Sequence, residues 1–136
     1  MKQVQIVAPD FVNQIWSKIE HFFEKSFKVS TDDCTLDQLR LILVQGHQVL
    51  FVVTEDTEIV GTCTVEIINY PNHRVVHITT LNGAGLVEES VIKQFEDWAK
   101  SQGATKIRAF AHDAQARLYK MKMGLNTVTH VVEKTL

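Results

Sequence analysis

The fold is decided by residues 75–104, VVHITTLNGAGLVEESVIKQFEDWAKSQGA. The run from Val75 to Thr80 is rich in β-branched residues and predicts a buried strand. Asn82-Gly83-Ala84-Gly85 ends that pattern, because glycine adopts backbone angles that other residues reach only with strain. From Leu86 the apolar residues recur about every 3.6 positions, which predicts an amphipathic helix that Gly103 ends. A helix that follows such a loop presents unpaired N–H groups, where an anion can bind.

The composition is that of an ordinary globular protein. The chain has 136 residues, of which 45% are hydrophobic and 22% are charged, and its net charge is -2. These values exclude disordered and fibrous classes and predict a single domain over residues 1–136. No apolar run reaches the roughly 18 residues of a membrane span, and the N-terminus lacks a signal-peptide core, so we expect a cytoplasmic protein. Cys34 and Cys63 form no CxxC pair and are expected to be reduced packing residues.

The charges are distributed unevenly along the chain. Residues 1–97 contain 14 acidic and 7 basic side chains, whereas residues 98–136 contain 2 acidic and 7 basic ones. The basic part is either a solvated surface or a local positive field that attracts a phosphate-bearing ligand. A specific nucleic-acid partner is not expected, because the whole chain is slightly acidic and carries no DNA-reading motif.

The segments before the two central strands predict one short strand and two helices. The strand candidate runs from Gln3 to Val7. Asp10 then suits the N-cap of a helix whose apolar residues recur at helical spacing, as in a helix that packs on a sheet. Thr35 and Gln38 match a capping box that begins a second helix.

The remaining elements complete a mixed sheet. Two strands are predicted from Gln48 to Thr54 and from Ile59 to Tyr70, ahead of the strand that begins at Val75. Beyond Gly103 we expect a strand from Lys106 to Phe110, a helix from His112 or Asp113 to about Met123, and a last strand from Thr127 to Val132. The predicted fold is therefore α+β: a mostly antiparallel twisted sheet with about four helices, in the order β-α-α-β-β-β-α-β-α-β.

Three passages in this order of elements carry a resemblance to a known family. They are EIVGTCTVEI at 58–67, FEDWAKSQGATKIRAFA at 95–111 and ARLYKMKMGL at 116–125. With these passages, nearly the whole chain resembles the GNAT acetyltransferase superfamily. The resemblance implies an acyl-CoA-dependent N-acetyltransferase whose cofactor is acetyl-CoA and whose acceptor is a small-molecule or protein amine.

The resemblance also implies roles for particular residues. In this family the backbone N–H groups of the glycine loop hold the pyrophosphate of acetyl-CoA, and the strands on either side of the loop's helix separate to admit the pantetheine arm. Carried over residue by residue, the cofactor would be bound by Leu81, Asn82, Gly83, Ala84 and Gly85. A tyrosine on the last helix commonly protonates the departing thiolate, and the corresponding residue is Tyr119.

The base for an amine acceptor is expected on the two strands before the loop. If Pro71-Asn72 forms a two-residue turn, Glu66 and His77 lie directly opposite each other. That pair could accept a proton directly or through water, or it could be a polar cross-strand pair on a partly solvated face. His73 shares a strand face with His77, but two histidines without a third ligand do not indicate a metal site.

A second function is compatible with the same fold. Thr80, Glu88 and the position of Tyr119 relative to Gly124 depart from the family's pattern. The chain is also similar to small GNAT-like proteins of tailed phages in its length, in the passage WAKSQGATKI at 98–107 and in its loop glycines. The second function is therefore that of a GNAT-fold protein that has lost catalysis and cofactor binding. Such a protein would act as an interaction or particle-associated component, in the host cytoplasm or the virion. A strand edge at Thr127–Val132 would also allow pairing with another chain, in a homo-oligomer or a protein assembly.

Overall fold

A computed structural model of the protein describes residues 1–29, 33–83 and 85–136. The five strands are β1 (Lys2–Val7), β2 (Val49–Glu55), β3 (Glu58–Asn69), β4 (Arg74–Asn82) and β5 (Lys106–Ala109). The four helices are α1 (Val12–Val29), α2 (Leu36–Val44), α3 (Glu89–Ser101) and α4 (Asp113–Met123), and a 3-10 turn at Pro9–Phe11 precedes α1. None of the helices in these described ranges is long and apolar enough to cross a membrane.

The strands form one mixed sheet in the order β1-β2-β3-β4-β5. Neighbours from β1 to β4 pair antiparallel, and β4 pairs with β5 in parallel. β4 and β5 are parallel because the crossover through α3 returns the chain from the end of β4 to the end of the sheet at which β4 began. This architecture confirms the predicted α+β class.

One face of the sheet is covered by α1 and α2. The buried stripe of α1 recurs every three or four residues, as the sequence predicts. It consists of Val12, Trp16, Ile19 and Phe23, and it packs with Leu39 and Leu43 of α2 and with Leu50 and Val52 of β2. The capping box at the start of α2 is present: the Gln38 amide donates to the Thr35 hydroxyl, and the Thr35 amide donates to the Gln38 side chain.

The opposite face is covered by α3. Strand alternation directs Phe51 of β2 to this face, although its neighbours Leu50 and Val52 face α1 and α2. The other buried members of this second core are Cys63, Val65, Val76, Ile78, Phe95 and Ala99. The two cores are thus separated only by the thickness of one shared sheet.

Two predicted boundaries differ from the structure. The helix expected from Leu86 begins at Glu89, because Leu86 is buried in the loop against the sheet rather than on a helical face. Residues 124–136 contain no strand, so the prediction of a last strand at Thr127–Val132 is wrong. A strand requires a neighbouring strand for its backbone hydrogen bonds, and residues 124–136 pair with none in the described chain.

Candidate functional site

The glycine loop is held against β3 by a close backbone contact. Gly83 has a φ of +119°, and a Cβ atom there would lie 2.4 Å from the carbonyl oxygen of Val60. Asn82 is buried, and its side-chain amide donates to the Thr62 hydroxyl at 3.4 Å. Glycine is therefore required at Gly83 for packing, independently of any ligand. Ala84, predicted to bind the cofactor, lies outside the described residues.

A lysine from β1 reaches the other side of this loop. The Lys2 ammonium donates to the carbonyl oxygen of Gly85 at 3.2 Å and pairs with the carboxylate of Glu88. Glu88 is the N-cap residue of α3, but its side chain accepts no hydrogen bond from the first N–H groups of the helix. The start of α3 is therefore not closed by this carboxylate, and a cation lies beside it.

The sheet opens where β4 passes beyond β5. The parallel pairing runs only from Val75 opposite Lys106 to Ile78 opposite Ala109, whereas β4 continues to Asn82. The last four residues of β4, 79–82, have no strand neighbour on that side among the described residues. Their outward N–H and C=O groups are available to a ligand that enters the gap.

A β-bulge marks the start of this opening. Val65 lies opposite Ile78 and Thr64 opposite Thr80, so that Thr79 is the extra residue of β4. The Thr79 hydroxyl lies within hydrogen-bond distance of the Gln48 side chain, at 2.8 Å, and of the Thr64 carbonyl, at 3.0 Å. The Thr64 hydroxyl contacts the hydroxyls of both Thr79 and Thr80 at 2.6 Å. This network fixes the backbone of β4 where it separates from β5.

Two spaces lie beside α3. An apolar cavity of about 30 Å³ is lined by side chains that include Cys63, Leu81 and Met123. A larger polar groove of about 680 Å³ runs between α3 and α4. Both are bordered by Val87 and Ile92.

Tyr119 lies on α4, close enough to Cys63 of β3 to interact with its thiol. Its side chain is half-buried, and burial raises the pKa of its phenol, with a smaller contribution from the nearby Cys63 thiol. A phenol with a raised pKa stays protonated at neutral pH, so it still holds a proton where a leaving group could take it. Cys63 itself is buried, which raises its pKa to about 12, so it is no nucleophile at neutral pH.

Glu66 and His77 lie directly opposite each other on β3 and β4, as the turn geometry predicts. Glu66 is exposed, whereas the His77 side chain is only 8% exposed. Burial lowers the pKa of His77, the Glu66 carboxylate opposes that shift, and the Arg108 guanidinium adds to it. The imidazole is therefore neutral at pH 7 and able to accept a proton.

The predicted acid and base are on opposite faces of the sheet. Val76 and Ile78 belong to the core under α3, so alternation directs His77 to the face that α1 and α2 cover. Tyr119 and Cys63 are on the α3 side. The sheet is open between β4 and β5 only beyond Ile78, so His77, which lies opposite Arg108, belongs to the last paired residues before the opening. Groups of three or more residues that could hold a metal ion are absent from the described part of the chain.

Sequence reasoning missed two contributors to this region. Lys2 gave no signal, because it is separated from Gly85 by 83 positions in the chain. Phe110 was assigned to a strand, but it lies just past the end of β5, and its ring contacts the His77 ring with centroids 4.7 Å apart. An aromatic residue at the predicted strand end, opposite a histidine, is the one signal that could have indicated this contact.

Comparison with solved structures identifies the fold as that of the GNAT acetyltransferases. No family model and no curated protein matches the chain in sequence. The structural agreement extends over almost the full length of this chain and of the proteins it resembles.

Three of these structures are compared with the chain below by TM-score, sequence identity and coverage. An aminoglycoside acetyltransferase from an uncultured soil metagenomic sample, in complex with trehalose, has a TM-score of 0.69 at 14% identity, covering 99% of this chain and 97% of that one. A predicted acetyltransferase with acetyl-CoA from Clostridium acetobutylicum has a TM-score of 0.68 at 15% identity, with coverage of 99% and 96%. A ribosomal-protein-alanine N-acetyltransferase from Brucella melitensis biovar Abortus 2308 has a TM-score of 0.68 at 10% identity, with coverage of 100% and 98%.

Proposed function

We propose that the protein is an acyl-CoA-dependent N-acetyltransferase that transfers an acetyl group to an amine by direct attack. The observation that carries this proposal is the opening between β4 and β5 beyond Ile78, with a protonated phenol on one face and a neutral imidazole on the other. The amine acceptor is a small molecule or a protein. Similar structures include an aminoglycoside acetyltransferase and a ribosomal-protein-alanine N-acetyltransferase.

The roles of the residues follow from their chemistry. The main chain of 81–85 would hold the pyrophosphate of acetyl-CoA, and the Lys2 ammonium beside Gly85 supplies a positive charge for it. His77 or Glu66 would accept a proton from the acceptor amine, directly or through water, as its nitrogen bonds to the thioester carbonyl carbon. Tyr119 would give its proton to the sulfur as the carbon–sulfur bond breaks.

Thermal unfolding with and without acetyl-CoA tests the cofactor. A ligand present at 100 times its dissociation constant stabilises the folded state by about 2.7 kcal/mol. For a chain of 136 residues, we expect the melting temperature to rise by several degrees. An unchanged melting temperature at about 1 mM acetyl-CoA contradicts the proposal.

Tyr119→Phe tests the acid separately from binding. Loss of a general acid lowers kcat by roughly 100-fold or more, while the acetyl-CoA-dependent rise in melting temperature stays the same. Tyr70→Phe is the matched control, because Tyr70 is the only other tyrosine and its ring contact with Arg108 is kept by phenylalanine. Equal activity of the two variants would remove Tyr119 from the mechanism.

Glu66→Gln and His77→Gln distinguish the two candidate bases. The variant that lacks the base should lose roughly 100-fold in kcat or more, and the other variant should lose much less. If both retain full activity, neither residue is the base and the amine is deprotonated by water or before it binds.

A second candidate, a GNAT-fold interaction protein without cofactor binding, is favoured by one observation. The ion pair of Lys2 and Glu88 spans the loop beside Gly85, where a pyrophosphate would have to bind. If this pair excludes the ligand, wild type shows no melting shift with acetyl-CoA, whereas Glu88→Gln restores one. A shift in wild type that equals the shift in Glu88→Gln removes the support for this candidate.

A further inference from the structure

Three neighbouring strands bring a carboxylate, an imidazole and a guanidinium into one row. Glu66 of β3 lies opposite His77 of β4, and His77 lies opposite Arg108 of β5. Residues that lie opposite each other on neighbouring strands project to the same face, so all three side chains are on the face against which α1 and α2 pack. Burial lowers the pKa of His77 most, the Glu66 carboxylate raises it and the Arg108 guanidinium lowers it, so both charges lie near the imidazole.

The two charged ends of this row do not neutralise each other. Neither Glu66 nor Arg108 forms an ion pair or a side-chain hydrogen bond with the part of the chain that the structure describes. The Arg108 guanidinium carbon instead lies 5.5 Å from the centre of the Tyr70 ring. Because β4 lies between β3 and β5, the Arg108 side chain extends across β4 to reach this ring. The contact uses the aromatic ring and not the hydroxyl, and it leaves the guanidinium N–H donors for a ligand.

An exposed aromatic ring flanks the row at each end of its open side. Tyr70, directly after β3, is 48% exposed, and Phe110, directly after β5, is 61% exposed. The Phe110 ring packs edge-on against the His77 ring, so the apolar surface continues up to the imidazole. A small-molecule site typically combines such apolar surface with a few charged groups that fix the orientation of the ligand.

We infer that the amine acceptor is a free amino acid whose carboxylate binds the Arg108 guanidinium. This inference rests on the proposed acetyltransferase activity and leaves its chemical step unchanged. An arginine offers parallel N–H groups that match the two oxygens of a carboxylate. An amino acid at neutral pH is negative at its carboxylate and positive at its nitrogen, so its charges complement Arg108 and Glu66 at the two ends of the row.

The same placement brings the reacting nitrogen to the candidate bases. Neighbouring strands are about 4.8 Å apart, so a carboxylate held by Arg108 leaves the amine of the same molecule beside His77 and Glu66. There the amine can lose its proton before it attacks the thioester. The side chain of the amino acid would pack on Phe110, which is exposed and adjoins His77.

Acetylation of the common amino acids and of their carboxamides tests the class of acceptor. A carboxamide keeps the size and the reactive amine of the amino acid but lacks its negative charge. For the preferred amino acid, we expect kcat/KM to be roughly tenfold or more above that of its own carboxamide, mainly through a lower KM. Equal values for acid and carboxamide, or acetylation only of amines without a carboxylate, overturn the inference.

Arg108→Gln tests the residue itself. This variant should lower kcat/KM for the amino acid by roughly tenfold or more and leave kcat/KM for the carboxamide unchanged. Lys106→Gln is the matched control, because Lys106 is exposed on the same strand and the same face and its loss removes the same charge. A variant that loses activity equally on acid and carboxamide would mean that Arg108 supports the fold and not the carboxylate, which overturns the inference.

Melting curves separate a failure of this inference from a failure of the proposed function. If acetyl-CoA stabilises the chain but its amine acetylation ignores the carboxylate, only this inference falls. If acetyl-CoA does not stabilise the chain, the proposed function falls, and the site is tested without cofactor. A free amino acid at about 10 mM should then raise the melting temperature of wild type and of Lys106→Gln but not of Arg108→Gln. No shift with any amino acid overturns the inference as well.

Discussion

The protonation of His77 connects the site to the stability of the fold. Burial lowers the pKa of this imidazole below its ordinary value of 6.5, in spite of Glu66 opposite it. As pH falls through 6.5, His77 becomes protonated in the unfolded chain but stays neutral in the folded chain, so the free energy of unfolding decreases. His77→Gln has no such proton. Between pH 7 and pH 5, we expect wild type to lose more stability than the variant, as measured by urea unfolding at both pH values. Parallel pH profiles of the two proteins would contradict a buried neutral imidazole.

Gly83 illustrates a position where the backbone allows only one residue. An alanine there would combine a φ of +119° with a Cβ 2.4 Å from the Val60 carbonyl oxygen. We expect Gly83→Ala to lower the free energy of unfolding by roughly 2–4 kcal/mol, from overpacking and backbone strain together. Gly124→Ala is the control, because Gly124 also has a positive φ but no atom within 4 Å of its added Cβ. It should lose only about 1 kcal/mol, measured by the same urea unfolding. Equal losses would mean that the contact with Val60 does not restrict residue 83.

The hairpin between β2 and β3 contains a turn that its sequence does not favour. Asp56 and Thr57 both have positive φ, at 51° and 73°, as in a type I′ turn. A β-branched residue in this region is strained, and glycine is not. We expect Thr57→Gly to raise the free energy of unfolding by about 0.5–1 kcal/mol, seen as a higher urea midpoint at constant slope. Asp56→Gly should gain less, because aspartate tolerates this conformation. A lower midpoint for Thr57→Gly would contradict the turn.

The elements that were predictable are those specified by residues close in the chain. The capping box of Thr35 and Gln38 spans three positions and forms as expected. The pairing of Glu66 with His77 follows from the short turn at Pro71-Asn72, which fixes the register of the hairpin. The strand assigned to Thr127–Val132 has the right local propensity, but propensity carries no information about whether a neighbouring strand is present.

The whole molecule contains features that no local pattern specifies. The cation beside the glycine loop comes from β1, and the opening of the sheet depends on β5 being shorter than β4. The sequence of residues 75–104 does not specify the length of β5 or the contact of Lys2 with Gly85. Tyr119, Glu66 and His77 could be named as candidates from the sequence, but Lys2 could not. The division of Tyr119 and His77 between two faces of the sheet follows from strand alternation at Val76, His77 and Ile78 and from the packing of α3 on one face.

Because the two cores share one sheet, we expect them to unfold together in one cooperative transition. Trp16 stacks on Phe23 in the core under α1 and α2, whereas Trp98 packs edge-on against Phe51 in the core under α3. These are the only two tryptophans, so Trp98→Phe and Trp16→Phe leave a fluorescent probe on one face each. Alternate side chains of β2 belong to the two cores, so unfolding of one core displaces the strand on which the other core packs.

In each single-tryptophan variant, we therefore expect the fluorescence transition in urea to coincide with the far-ultraviolet circular dichroism transition. Both substitutions shrink a core residue and should lower the midpoint relative to wild type, which serves as the reference. That shift does not affect the comparison of two probes within one protein. If Trp98 fluorescence changes at a lower urea concentration than the dichroism does, the layer formed by α3 unfolds first. The side of the sheet that carries Tyr119 and the apolar cavity would then be a separate unit of stability, rather than part of one cooperative domain.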